Sequence, residues 1–581
     1  WFWLVAQQLR DLFINTLITN RGNQGAESVR DDVRTFIIEA ALKGIVPANV
    51  GIIARLLQIL PQLLLKSLSK DFHELDDVFF SIVKANGLEI VQDSLKRVTD
   101  LLYKDKPTDH ANSIEDYEKL FPLLPVPPIA KTFDQDETFA YLQVAGYNPL
   151  MLQRVSHLDD RFPVREEHYQ AAMGQNDSLA RAGQEGRLYL ADYSILAGAI
   201  DGTYPNKQKY VYAPLALFAV PPDSESDRCL RPIAIQCGQT PGDEFPIITP
   251  QSGKYAWLTA KTIVQIADAN FHQPVSHLAR THLFVGAFVM VTHRQLQDSH
   301  PLSLLLRPHF ACTLAINDAA RRLLIAPDGG VDRLLSSTID NSRVLAVKGL
   351  QSYRFNDAML PKQLKLRGVD DPDRLPIYPY RDDALLLWEA IHHWVSDYTS
   401  LYYLSDQDIQ QDRALQAWAA EVTAHDGGRI RGFGEAGGGI QTRGYLADAL
   451  TLVIFTASAQ HAAVNFPQKD LMSYAAAVPM AGYLPAAVVA GEVTQQEYLK
   501  LLPPLDQAQR QYNLLSLLGS VYYNKLGEYP PDHFTDPKVK PLLQAFQDSL
   551  QQIEATIGQR NLSRPPYAYL LPSQIPQSIN I

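Results

Sequence analysis

The chain has 581 residues, 46% hydrophobic and 20% charged, a composition that supports a large buried core and excludes a disordered polymer. Fifty-two basic side chains stand against 63 acidic ones, for a net charge of −11 with no long basic run, which excludes nucleic acid as a partner. Three cysteines, Cys229, Cys237 and Cys312, are too few to staple so long a chain and lack zinc-site spacing, so a reducing, cytoplasmic setting is expected.

Residues 1 to about 110 read as consecutive helices, with apolar positions three and four apart and breaks at Gly22, Gly44, Pro47 and Gly87. Within them, Arg55, Gln58, Gln62 and Lys66 draw one narrow polar stripe along Gly51 to Ser69, the pattern of a helix packed on the protein or lying in a membrane interface. The longest apolar stretch, Ile45 to Leu65, is interrupted by Pro47, Asn49, Arg55, Gln58, Pro61 and Gln62, so no spanning segment is expected there. Prolines 122, 125, 127 and 128 mark an extended linker or wrap-around segment, the best candidate for a domain boundary. Short β-type runs follow at Arg187 to Ile195, Lys209 to Val220 and Arg228 to Gln236, which predicts a small antiparallel sheet. Beyond Tyr255 the pattern is almost entirely helical. Gly432 to Gly437 formally matches GxGxxG, but no apolar strand leads into it, so it is not read as a dinucleotide site.

Six of the 15 histidines (His272, His277, His282, His293, His300, His309) fall within 38 consecutive residues. His272, His277 and His282 are spaced i, i+5. On an ordinary α-helix five residues turn about 500°, leaving neighbours about 140° apart. A π-type turn of about 4.4 residues brings them within about 50°, so the spacing points to a metal held on a distorted helix. Taken singly, each histidine reads more readily as a core side chain than as a ligand. A second pair, His461 and Asn465, is spaced i, i+4 and projects to one side of a regular helix with apolar flanks. Imidazoles suit iron, zinc or copper, and an amide oxygen is a weak, neutral ligand, so this set still lacks a negative charge.

The stretch from Trp257 through His277 to His282, followed by His300-Pro301 and LLRPH ending at His309, resembles the iron-binding signature of the lipoxygenases. His461-Ala-Ala-Val-Asn465-Phe resembles that family's second signature, and Ile575 to Ile581 its C-terminal motif. Further similar blocks are Leu230 to Ile235, Tyr378 to Asp383 and Leu387 to Ile391, so the resemblance runs from about Asp116 to the last residue. It implies a mainly α fold: a large helical catalytic domain at 116–581 with a small antiparallel sheet, preceded by a helical module at 1–115. Nothing in that module resembles the β-sandwich lipid-binding domain of eukaryotic members.

The resemblance also implies one non-haem iron per chain, with manganese as the alternative, bound by His277, His282, His461, Asn465 and the terminal carboxylate of Ile581. Gln273 and Gln468 match family glutamines that orient the ligands. His272, His300 and His309 match histidines that are not ligands, and His293 has no motif support. Gly286 stands where many relatives carry Glu. The implied reaction is dioxygenation of polyunsaturated fatty acids with a cis,cis-1,4-pentadiene, through hydrogen abstraction by Fe(III)-hydroxide and O2 insertion. Ala320, Leu324, Val331, Leu334 and Leu335 match positions lining the substrate and oxygen pocket. A silent lipid-binding protein and a different non-haem metalloenzyme are the competing readings. The expected partners are a fatty acid and O2, in a monomer with peripheral membrane contact through the N-terminal helices.

Overall fold

The computed structural model describes residues 109–121, 125–436 and 438–581. The module expected at 1–115, with its polar stripe at Gly51 to Ser69, lies outside them except for residues 109–115. Those residues pack on the body that follows. His110 Nδ1 donates to the Leu502 carbonyl at 2.9 Å, Ala111 is buried, and beyond them Tyr117 donates to Pro503 at 2.7 Å. Ala111 and Tyr117 before the prolines share one buried cluster with Ile129 after them, so the described residues on both sides belong to a single compact unit, Pro107–Ile581.

The sheet has four antiparallel strands in sequence order: β1 (Gln153–Val155), β2 (Leu188–Asp192), β3 (Leu215–Ala219) and β4 (Arg231–Gln236). The last three lie inside the runs expected from sequence, whereas β1, with no alternating pattern, was not anticipated. All five residues of β3 are buried, which is why Leu-Ala-Leu-Phe-Ala does not alternate with polar side chains.

The helices that position the site begin with α1 (Lys254–Phe271), buried along nearly its whole length. Its polar side chains are therefore paired: Lys261 meets the Asp136 carboxylate at 2.6 Å, and Asn270 donates to the Met480 carbonyl at 2.8 Å. The chain then runs without a break into π1 (His272–Leu283) and α2 (Phe284–Gln295). Two features of the sequence loosen the α ladder here. Pro274 has no N–H to offer, and the Thr281 hydroxyl bonds to the His277 carbonyl four residues back.

After α2 come α3 (Thr313–Leu323), α4 (Gly330–Leu334) and α5 (Ile339–Ser352). Gly349 lets α5 lie close against π1, since a Cβ there would stand 2.8 Å from Val275 Cγ1 and 3.3 Å from Ala279 Cβ. Next are α6 (Pro379–Ser400), α7 (Arg443–Phe455), π2 (Thr456–Gln460), α8 (His461–Asn465) and π3 (Gln468–Met472). The hydroxyls of Thr456 and Ser458 bond to carbonyls four residues back, at 2.7 and 2.6 Å, the same substitution for the backbone ladder seen at Thr281. Two further helices follow, α9 (Leu505–Leu518) and the long α10 (Val539–Arg560); Arg560 at the end of α10 and Arg564 just beyond it both meet the buried Asp383 of α6.

Two runs, Lys254–Gln295 and Arg443–Met472, are long and apolar enough to cross a membrane. Their apolar windows are 78% and 89% buried inside the protein, where they form the core that carries the histidines.

Candidate metal centre

π1 and α8 bring three imidazoles to one point. The Nε2 atoms of His277 and His282 lie 3.2 Å apart, those of His277 and His461 3.3 Å, and those of His461 and His282 3.3 Å. A nitrogen-to-metal bond runs about 2.0–2.1 Å, and three atoms at these separations can all sit at that distance from one ion. All three residues are buried, and burial, the largest influence on each, holds His277 and His461 well below the usual imidazole range and His282 down to about 4. The neutral imidazole this enforces is the form that binds metal. Among the described residues no Asp, Glu or Cys side chain joins the cluster.

The i, i+5 spacing thus works as the sequence suggested, on a π-type segment. His272, one step earlier, faces elsewhere: its Nε2 donates to the Val464 carbonyl at 2.8 Å and links π1 to α8. His309 Nδ1 donates to the Gln577 carbonyl at 2.8 Å, His300 pairs with Asp412 at 3.2 Å, and His293 is exposed on α2. None of these four enters the cluster.

Asn465 Nδ2 donates to the Leu518 carbonyl at 3.0 Å, which fixes the amide and leaves Oδ1 to accept from Gln468 Nε2 at 2.9 Å. Gln468 Oε1 in turn accepts from Gln273 Nε2 at 2.7 Å. A chain of amides therefore joins π1 to Asn465 without adding charge. The Ile581 backbone acts on the His461 imidazole, raising it against the burial that lowers it, so the end of the chain lies beside the cluster. Leu334 and Leu335 are buried, Leu324 and Val331 half-buried, and all four share one apolar cluster with Ile581. Ala320 is half-buried on α3, and the Leu324 and Ile325 amides both donate to its carbonyl.

The lipoxygenase family profile matches residues 43–567. This chain belongs to the lipoxygenase family. A linoleate 9/13-lipoxygenase of Pseudomonas aeruginosa is 41% identical to this lipoxygenase over 534 residues, covering 89% of this chain and 76% of that protein. A Homo sapiens polyunsaturated fatty acid lipoxygenase, ALOX15B, is 34% identical across 81% of this chain and 69% of its own. Among solved structures, a lipoxygenase in complex with arachidonate superposes with a TM-score of 0.76 at 34% identity, covering 83% of this chain and 72% of that one. A coral 8R-lipoxygenase gives 0.76 at 36%, covering 82% and 71%. The profile begins well upstream of Asp116, so family likeness extends to residue 43, where the motifs alone did not reach.

Two polar side chains that bear on this lipoxygenase's centre were not anticipated. Asn317, on α3, is bonded to His282 twice, and Asn524 holds the C-terminal segment. Neither stands in a spacing pattern, so only their partners in space reveal them.

Proposed function

We propose that this lipoxygenase dioxygenates polyunsaturated fatty acids of the linoleate and arachidonate type to hydroperoxides, at a non-haem iron held by His277, His282, His461, Asn465 and the Ile581 carboxylate. The observation that carries this reading is the buried triangle of Nε2 atoms, 3.2–3.3 Å on a side, in a chain similar to a linoleate 9/13-lipoxygenase. When bound, iron would supply the one-electron oxidant for breaking the weak bis-allylic C–H bond, with the proton passing to a hydroxide.

The chain's own residues account for the rest. Three neutral imidazoles and an amide keep the donor set nearly uncharged, and Ile581 supplies its single negative charge. Gln273 and Gln468 hold Asn465 with its oxygen oriented. Leu324, Val331, Leu334 and Leu335 offer an apolar wall beside Ile581 for the pentadiene, and the Ala320 methyl biases the side from which O2 arrives. Burial of the cluster keeps bulk water from the radical.

Oxygen uptake and conjugated-diene absorbance with linoleate and arachidonate, together with metal analysis of the purified protein, test the proposal. Stoichiometric iron with diene formation supports it; metal-free protein or manganese in place of iron, or no diene, sinks it. Peripheral membrane contact through residues 1–106 is proposed from the polar stripe at Gly51 to Ser69, and equal liposome co-sedimentation of the full chain and of residues 107–581 would refute it.

A further inference from the structure

Asn317 holds His282 at two points. Its Nδ2 donates to the His282 carbonyl at 2.9 Å, and its Oδ1 faces His282 Nδ1 at 3.1 Å. A carbonyl can only accept, so the first bond fixes which way the amide points. The second bond then requires the imidazole proton on Nδ1. Nε2, the atom in the triangle, keeps its lone pair for a metal.

This arrangement depends on residue 286. A Cβ at Gly286 on α2 would lie 2.9 Å from Asn317 Nδ2. The end of a free asparagine could swing aside, but this amide is bonded at both of its polar atoms, so displacement breaks one bond or the other. Glycine here is costly to a helix interior, and α2 carries it where the Asn317 amide passes. The helix that bears Asn317 also carries Ala320, three residues on and therefore on the same side. It is loosely packed as well, with Thr313 its one fully buried residue.

We propose that Asn317 and Gly286 form a matched pair that sets the tautomer and ring orientation of His282, and that α3 thereby couples the substrate wall to the metal centre. Asn317 is a positioning residue, acting through His282. The inference rests on His282 being a metal ligand.

The test uses the full-length, iron-loaded protein and reads iron release to a ferrous chelator, the unfolding temperature of the metal-free protein, and kcat and KM with linoleate. Asn317→Ala is expected to speed iron release about 10–100-fold and to lower kcat with KM little changed, while the metal-free protein unfolds as before. Asn317→Asp can still accept from Nδ1–H and should recover part of the loss. Gly286→Ala installs the best helix former yet should also release iron faster, and the double variant should match Asn317→Ala alone, because the added methyl then has no amide to displace. Wild-type iron release in both single variants, or additive losses in the double variant, overturns the pair. Should His282→Ala itself retain iron, the ligand assignment falls first, and the pair with it.

Discussion

The π1 segment delivers His277 and His282 from one continuous helix, pressed against α5 across Gly349 and bonded to α8 through His272. The segment that delivers Ile581 has neither helix nor strand from Ile575 onward, and other parts of the chain hold it. Leu526 N donates to the Ile575 carbonyl at 2.8 Å, His309 to that of Gln577, and Gly527 N to the Gln577 side chain at 2.8 Å. Asn524 is the hub: its Oδ1 accepts from Gln577 N at 3.0 Å and Asn580 Nδ2 at 2.9 Å, and its Nδ2 donates to Ser578 Oγ at 2.8 Å. One arm of the centre is thus placed by backbone periodicity and the other by a side-chain clamp. Failure should differ accordingly. Damage to π1 should reach the ligands directly, whereas damage to the clamp should free the last residues and spare the helices.

The largest effect should come from the helical arm. His277→Ala removes one corner of the triangle, so metal content is expected to fall to background and dioxygenation to vanish, as metal analysis and oxygen uptake would show. Iron retained at wild-type level would exclude His277 as a ligand. Next, adding one alanine after Ile581 displaces the carboxylate while leaving every helix intact. Iron retention and activity should be lost with the unfolding temperature of the metal-free protein unchanged. A fully active extended protein would remove Ile581 from the ligand set.

A third probe separates stability from ligation on the π1 side. Asp268, on α1, is fully buried, which pushes its carboxyl up to about 7, with hydrogen bonds partly offsetting the burial. It accepts from Asn148 Nδ2 at 2.5 Å, and Asn148 Oδ1 accepts from Ser276, the neighbour of His277. A folded-state value raised above the unfolded one means that the native state holds the proton more tightly, so the stability it contributes is present at low pH and is lost between about pH 4 and pH 7. Asp268→Asn should therefore gain on the wild type across that window, by a few kcal/mol at most. Unfolding temperatures of the two proteins that keep a constant difference from pH 5 to 8 would exclude the ionisation.

How much of this was legible in the sequence follows the same division. The i, i+5 histidines carried their own geometry, and Pro274 and Thr281 within the segment show why the α ladder yields there. Thr456 and Ser458 carried a similar signal for π2, in hydroxyls able to take carbonyls four residues back, although only the structure shows them doing so. The runs of β2 to β4 were visible because apolar stretches were bounded by Gly and Pro, whereas the three residues of β1, Gln-Arg-Val, are too few to show alternation. The clamp was not legible. Asn524, His309 and Gln577 come together from positions more than 50 residues apart, and no local period encodes such a meeting. The family motif indicated that Ile581 matters; the hydrogen bonds show what holds it.

The clamp itself can be weakened without touching a ligand. Asn524→Ala removes three hydrogen bonds to the tail, and at about 0.5–1.5 kcal/mol each should cost about 1.5–4.5 kcal/mol in all. If the tail is placed by this side chain, iron release should accelerate in step with that loss. A destabilised protein that keeps its iron would instead show that Gly527, Leu526 and His309 suffice to hold Ile581.

The smallest effect is expected where the helical arm meets α5. Gly349→Ala places a methyl 2.8 Å from Val275 Cγ1. Overpacking of this kind costs about 1–3 kcal/mol, and the better helix propensity of alanine returns about 1 kcal/mol, so a net loss of about 1 kcal/mol is expected in denaturant unfolding. Val275 lies two residues before His277, so π1 has to move as a body or the α5 contact has to open. The first would loosen iron and the second would not. Faster iron release at so modest a cost in stability would mean that the ligands on π1 depend on its outer packing as closely as Ile581 depends on Asn524.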